Sequence, residues 1–328
     1  MPRTRPKRSA APGAGSPVPA TIPSVPLPGG GPEHPVLGLG TWNRGRWSHA
    51  ETERAQAVVE HALARGIRWL DTAEVYGAGR SERIVGAALE RNPDLSPPPF
   101  VATKVSWEHL RPLPLRAALQ GSLERLGRPV ADLYLVHAPD PKVPIAETMG
   151  ELAAQVEAGR IRSVGVSNFS VAELEAAQAA FAPRAIAVNQ VSYSLLDRED
   201  GDALLEHCAR TGVRIEAYSP LYHGLLAGRP ADPSRIPAAV RRGVLGLDPD
   251  HLPRTLAAAR ALRAIADRAG VPLAAIALHW LRRQGALPVF GASRPEQVDA
   301  ALAAWATEVP PEVLDRADAA SRDGGGRA

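Results

Sequence analysis

The stretch FVATKVSWEHLRPLPLRAALQGSLERLGRPVADLYLV, residues 100–136, decides the fold. It opens on an apolar run, Phe100–Val105, passes through a segment that reads as a helix over 114–126, and closes on a second apolar run, Leu133–Val136. Two strands joined through a helix lie parallel, since parallel neighbours need a long crossover. The same unit recurs in both directions along the chain. Further strand candidates are Val36–Gly40, Ile67–Leu70, Ser163–Val166, Ala185–Asn189, Val213–Ala217 and Leu287–Phe290. Helices are expected over 49–65, 81–91, 146–158, 171–180, 199–211, 255–284 (re-entered at Pro272) and 295–304.

Local signals support these elements. Ser48/Glu51, Ser170/Glu173 and Ser293/Glu296 have the spacing of a capping box, in which the hydroxyl accepts from the third helical amide and the glutamate reaches back. Gly66, Gly159 and Gly212 stand at helix ends, where a left-handed residue closes the last turn. Ala55, Val58, Val59, Ala62 and Leu63 fall on one stripe of the first helix. Eight strand–helix units in about 290 residues predict a closed (β/α)₈ barrel, an α/β fold of one domain. The rival is an open doubly wound sheet, which usually announces itself by G-x-G-x-x-G after its first strand. Gly38-Leu39-Gly40 lacks the third glycine and the helix start. The barrel is preferred.

Composition narrows the function classes. Of 328 residues 45% are hydrophobic and 22% charged, which suits a packed core and not a disordered chain. No uninterrupted apolar run reaches the roughly 18 residues of a membrane span. One cysteine, Cys208, excludes an internal disulfide framework and a cysteine-built zinc site, and no histidine spacing suggests a metal. Cys208 reads as a small core hydrophobe. The formal charge is +3, but residues 1–30 hold four bases and no acids, leaving 34 bases against 35 acids in the remainder. A broad nucleic-acid-binding face is therefore not expected.

Residues 1–32, with nine prolines, read as a disordered leader, and residues 33–322 as the barrel domain. Prolines break every candidate signal-peptide core, and their density opposes an amphipathic transit peptide, so a cytoplasmic location is expected. A basic nucleic-acid arm is the less favoured reading. Residues 229–254, with five prolines, read either as a lid or as a surface insertion.

In a parallel barrel the chemistry collects where strands exit into the following loops. Those positions are unusually polar here: Asp71 and Tyr76 after the second strand, Lys104 in the third, His137 after the fourth. A tyrosine is a weak acid at neutral pH, and a neighbouring ammonium would favour its phenolate and lower its pKa. The ammonium needs a carboxylate when buried, and a histidine can orient a substrate oxygen. Taken singly, Asp71 is an ordinary cap or turn residue, Tyr76 a loop aromatic and His137 a structural histidine. Lys104 is harder to dismiss, since the chain has 35 arginines and only three lysines. Trp42, Trp47 and Trp107 stand near the same strand ends. Trp42 and Trp107 are candidates for the substrate pocket, against plain loop packing.

At these residues the sequence resembles the aldo-keto reductase family, over about residues 35–300. The ordered motifs are GLGT (38–41), DTAEVYG (71–77), TK (103–104), LYLVHAPD (133–140), GRIRSVGVSNF (159–169), NQVSYSLLDR (189–198), AYSPL (217–221), GLLAG (224–228) and GASRPEQV (291–298). The resemblance implies an NADPH-dependent oxidoreductase reducing an aldehyde or ketone, with NADH the less favoured cofactor. It implies Tyr76 as general acid, Lys104 and Asp71 as its tuning pair, and His137 as the residue orienting the carbonyl. Ser167, Asn168 and Gln190 would anchor the nicotinamide carboxamide, and Tyr218 would stack on the ring. Ser219, Leu221 and the loop through Gly224 and Gly228 would pass over the pyrophosphate. Ser293, Arg294 and Gln297 would meet the 2′-phosphate and adenine, where a helix N-terminus and a guanidinium both favour an anion. The family commonly ends this last motif with an acidic residue and asparagine, whereas this chain has Ala300-Ala301.

The expected partner is a small carbonyl compound, without nucleic acid or membrane, in a monomer or small homo-oligomer. Two alternatives remain: an NADPH-binding regulatory subunit similar to potassium-channel β subunits, and a biosynthetic reductase of a keto-sugar or polyketide.

Overall fold

The computed structural model describes residues 22–42, 47–229 and 252–322. Ten strands occur among them. β1 (Ser24–Pro26) and β2 (Glu33–Pro35) form an antiparallel hairpin. β3 (Gly38–Gly40), β4 (Trp69–Asp71), β5 (Phe100–Val105), β6 (Ala131–Val136), β7 (Ile161–Ser167), β8 (Val188–Ser192), β9 (Arg214–Tyr218) and β10 (Leu287–Gly291) close into a parallel barrel, with β10 pairing β3. All eight expected strands are barrel staves. The one expected over Ala185–Asn189 starts later, because the Ile186 N–H is taken by Gln178 Oε1 at 2.8 Å and does not join the ladder.

The helices are α1 (His49–Ala64), α2 (Arg80–Glu90), α3 (Pro112–Leu126), α4 (Ile145–Glu157), α5 (Val171–Phe181), α6 (Glu199–Thr211), α7 (Leu252–Ala269), α8 (Leu273–Arg283), α9 (Pro295–Ala306) and α10 (Pro311–Arg322). The break at Pro272 is where the sequence puts it. The capping boxes Ser48/Glu51 and Ser170/Glu173 both form, each contributing about 1 kcal/mol. The expected Ser293/Glu296 box does not. Pro295 occupies the first helical position and drives its predecessor, Arg294, into extended geometry, so Arg294 is the N-cap and Ser293 lies one residue outside.

Two elements were not foreseen. The helix α10 carries only Val313, Leu314 and Ala317 as buried apolar residues, too few for a clear stripe. It is held by Asp318, which takes Arg198 Nη1 at 2.8 Å and Trp280 Nε1 at 2.9 Å. The hairpin corrects the expected leader boundary. Residues 22–32, read as the end of a disordered leader, are built into the fold: Leu27 is buried and β1 pairs with β2. His34 of β2 is fully buried, its ring 4.3 Å from that of Trp69 and 4.5 Å from that of Phe100. Trp69 and Phe100 begin β4 and β5, so the hairpin closes the end of the barrel opposite the strand exits. Gly38 makes room there, since a Cβ on it would lie 2.2 Å from the Trp69 ring.

Residues 1–21 and 230–251, which carry most of the expected leader and lid, lie outside the described residues. No helix among the described residues is long and apolar enough to cross a membrane.

Candidate active site

Strand register brings the first three groups together. Asp71 ends β4, flanked by Gly40 of β3 and Ala102 of β5, and Lys104 lies two residues farther along β5. His137 leaves β6 with its N–H on the Val105 carbonyl at 3.0 Å. Tyr76 reaches the same place by a turn. Its N–H bonds Ala73 O at 3.1 Å, and Gly77 and Gly79 take left-handed φ of 63° and 80°, which folds the chain back over the mouth. Gly77 is needed for space as well, because a Cβ there would meet the Trp47 indole at 2.5 Å. Trp47 therefore supports the loop that carries Tyr76.

Lys104 is fully buried, and its ammonium is the hub of the site. Nζ donates to Asp71 Oδ1 and Oδ2, each at 2.7 Å, and to Thr72 O at 2.9 Å, and reaches Tyr76 Oη at 3.5 Å. An ammonium has three hydrogens, so the long contact to the phenol is the loosest of the set. Burial opposes the charge on Lys104, but Asp71 and Tyr76 outweigh it and hold the ammonium above its ordinary range. Burial likewise pushes the Asp71 carboxyl up, against the pull of Lys104.

Tyr76 departs from the sequence expectation. Lys104 does favour its phenolate, yet burial and the Asp71 charge prevail, and the phenol stands above its ordinary pKa. The resting site thus keeps Tyr76 protonated, as a proton donor must be. His137 completes the group, its ring 5.6 Å from that of Tyr76 in an edge-on arrangement. Burial and the Lys104 charge depress its pKa to about 3, so the imidazole is neutral. His137 Nδ1 is buried without a hydrogen bond. Trp107, 46% exposed, stands edge-on to His137 at 6.0 Å, which puts one of the two expected pocket tryptophans at the rim of the group. Trp42 is equally exposed, after β3.

The exits of β7, β8 and β9 hold the next set. The Asn168 side chain ties the exits of β6, β7 and β9: its Nδ2 donates to His137 O at 3.0 Å and Ser167 Oγ at 3.1 Å, and its Oδ1 accepts from Tyr218 Oη at 3.0 Å. Asn168 and Ser219 both have left-handed φ, 61° and 55°, as do Tyr222 and His223 in the loop that follows. Such strain in residues other than glycine gathers at sites where the fold holds a ligand-facing shape. Leu221 and Gly224 lie in this curled loop, closed by Gly224 N–H on Leu221 O at 2.9 Å. Ser167 is buried, with its hydroxyl on Gln190 O at 2.8 Å.

Gln190, expected as a carboxamide anchor, turns its amide nitrogen inward. Its amide nitrogen is committed to two carboxylates, Asp71 Oδ2 at 2.8 Å and Glu216 Oε2 at 2.6 Å. Glu216, fully buried on β9, was not singled out from the sequence, and neither was His34, whose Nε2 lies 2.9 Å from Glu216 Oε1. The available signal was an acid inside an apolar strand, Val213–Ala217, two residues before the motif tyrosine.

At the β10 exit Ser293, Arg294 and Gln297 are all exposed. Gln297 Oε1 accepts from Ser293 N–H at 2.7 Å and Ser293 Oγ at 3.0 Å, a clasp in place of the expected capping box. Arg294 has no side-chain partner among the described residues, and no side chain caps α9. Nor does any cluster of His, Cys, Asp and Glu among the described residues suit a metal ion.

Comparison with known proteins agrees with this geometry. The model of the Aldo/keto reductase family matches residues 36–322. An uncharacterized oxidoreductase of Mycobacterium tuberculosis is 34% identical over 292 residues, spanning 87% of this chain and 89% of the relative. A thermostable aldo-keto reductase solved with the inhibitor epalrestat superposes with a TM-score of 0.74 at 30% identity, covering 90% of this chain and 99% of the other. An aldo-keto reductase of Klebsiella pneumoniae solved with NADPH gives a TM-score of 0.72 at 26% identity, covering 94% and 98%.

Proposed function

The chain belongs to the aldo/keto reductase family, and from that premise we propose that it is an NADPH-dependent reductase of aldehydes or ketones in which Tyr76 is the general acid. The observation that carries this reading is the buried Lys104, 2.7 Å from both oxygens of Asp71 and 3.5 Å from the Tyr76 hydroxyl at the barrel mouth.

The residues at the mouth fit a nicotinamide dinucleotide. Strained Asn168 and Ser219, the Tyr218 ring tethered to Asn168, and Arg294 at the start of α9, without a side-chain partner among the described residues, offer an amide, an aromatic face and a cation. When bound, the reduced cofactor would supply hydride to the carbonyl carbon. Ser167 and Asn168 would hold its carboxamide end, the Ser219–Gly224 loop its middle, and Arg294 with the clasped Ser293 and Gln297 its 2′-phosphate end.

Tyr76 holds a proton at Oη, facing the space bordered by His137 and Trp107. As negative charge develops on the carbonyl oxygen, that oxygen becomes a far stronger base than a phenolate, and Tyr76 protonates it. Lys104 stabilises the phenolate left behind, and Asp71 keeps Lys104 charged and aimed. Neutral His137 orients the oxygen through a ring nitrogen. The exposed Trp107 face favours a carbonyl compound with an apolar body.

A panel of aldehydes, ketones and keto-sugars with NADPH, followed by the loss of cofactor absorbance, tests the reading. Turnover of at least one class supports it. Tight NADPH binding without turnover across the panel would replace it with the regulatory-subunit alternative.

A further inference from the structure

A string of buried side chains runs along the barrel from its closed end to its mouth. His34 Nδ1 lies 2.7 Å from Pro35 O, and its Nε2 lies 2.9 Å from Glu216 Oε1. Glu216 Oε2 accepts from Gln190 Nε2 at 2.6 Å, and the same nitrogen donates to Asp71 Oδ2 at 2.8 Å. Asp71 then receives Lys104, which reaches Tyr76. His34, Glu216, Gln190, Asp71 and Lys104 are all at most 3% exposed. Burial of this many polar groups is costly unless each is satisfied.

The partners fix the protons. A carbonyl only accepts, so His34 Nδ1 carries hydrogen toward Pro35. One further proton lies on the line between His34 Nε2 and Glu216 Oε1. Gln190 spends both amide hydrogens on carboxylates, so it cannot turn its nitrogen toward the mouth. The neighbouring register positions of Gln190 and Glu216 on β8 and β9 hold this arrangement in place.

We propose that Glu216 is a positioning residue for the reductase site: anchored by His34, it fixes the Gln190 amide and, through it, the Asp71 carboxylate that carries Lys104 and Tyr76. The proposal rests on the reductase reading above. It makes the N-terminal hairpin, through His34, part of the machinery at the far end of the barrel. The proton between His34 Nε2 and Glu216 Oε1 ties the two side chains as a pair. The charged or titratable groups facing Glu216 are His34 from β2, Asp71 from β4 and Lys104 from β5. Its charge adds to that of Asp71 in retaining protons on Lys104.

Two substitutions test this in the full chain. Glu216→Gln can keep every hydrogen bond of the string: its amide nitrogen donates to a neutral His34 and its oxygen accepts from Gln190. Only the charge is lost. The alkaline limb of the kcat–pH profile then moves to lower pH by roughly half a unit, with KM for the carbonyl compound nearly unchanged. His34→Gln leaves a neutral donor beside an uncompensated carboxylate, and moves the limb the other way. A merely structural role lowers the melting temperature and leaves both limbs on the wild-type curve, and that result would overturn the proposal.

A readout free of turnover separates this proposal from the reductase reading. The ¹⁵N resonances of the His34 ring should report both nitrogens protonated in the wild type and Nε2 bare in Glu216→Gln. A neutral His34 in the wild type overturns the string even where reduction is seen. The imidazolium pattern supports it even if the carbonyl panel is not reduced.

Discussion

Lys104 places its ammonium 2.7 Å from each carboxylate oxygen of Asp71, with both residues buried, so neither charge is supportable without the other. Breaking such a pair leaves an uncompensated buried charge. Lys104→Met should destabilise the fold by roughly 3–5 kcal/mol. The double variant Lys104→Met/Asp71→Leu should recover part of that loss, because it removes both charges. Urea denaturation of the two variants measures the difference; equal midpoints would mean that Asp71 draws its support from Gln190 alone.

Tyr76→Phe removes the phenolic hydroxyl and leaves the ring where it packs edge-on against His137. Loss of general-acid catalysis should cut kcat by about 10²–10⁴-fold. NADPH affinity, followed by fluorescence titration, should stay within about twofold, since the groups proposed to face the cofactor lie on other strand exits. Retention of full turnover would remove Tyr76 from the chemistry.

Barrel and site differ in how far the sequence exposes them. Each stave is a local apolar run between helices, and the candidate catalytic group comes from three successive strand exits, so short motifs such as DTAEVYG carry it. The contacts that escaped are distant in the chain. His34 meets Glu216 across 182 positions and Gln190 meets Asp71 across 119. Neither pair has a local signature, because a buried acid in a strand looks like any other until its partners arrive. The Ser293 cap failed for a different reason. The capping pattern is weaker than the steric demand of Pro295, which shifts the helix start by one residue. The upward displacement of the Tyr76 phenol likewise depends on burial, which no motif records.

His137 predicts a pH dependence of stability. Its folded-state pKa is about 3, against an ordinary value of 6.5, through burial and the Lys104 charge. Below pH 6.5 the unfolded chain binds a proton there that the native site refuses. Stability from this residue is therefore full above 6.5 and declines as the pH falls toward 3, by up to about 1.4 kcal/mol per pH unit. His137→Gln should flatten that part of the curve in denaturation series between pH 4 and 7. An unchanged slope would mean that His137 protonates freely in the native state. Carbonyl reduction by the wild type should show no limb from His137 near neutrality.

On the proposed reading Arg294 discriminates between the two nicotinamide dinucleotides. It stands exposed as the N-cap of α9, with no side-chain partner among the described residues, beside the Ser293–Gln297 clasp. A guanidinium gains most from a phosphate, which takes two parallel hydrogen bonds and a charge at once. Only NADPH carries the 2′-phosphate. Arg294→Ala should weaken NADPH binding by roughly tenfold or more and change NADH binding by less than about twofold. Both are measured by quenching of tryptophan fluorescence. Equal losses for the two cofactors would place Arg294 against a group they share. In the native chain the NADPH preference should also shrink as salt rises, because an exposed ion pair is screened. A preference that salt leaves untouched would mean that the 2′-phosphate is held instead by the uncharged Ser293 and the free amides of α9.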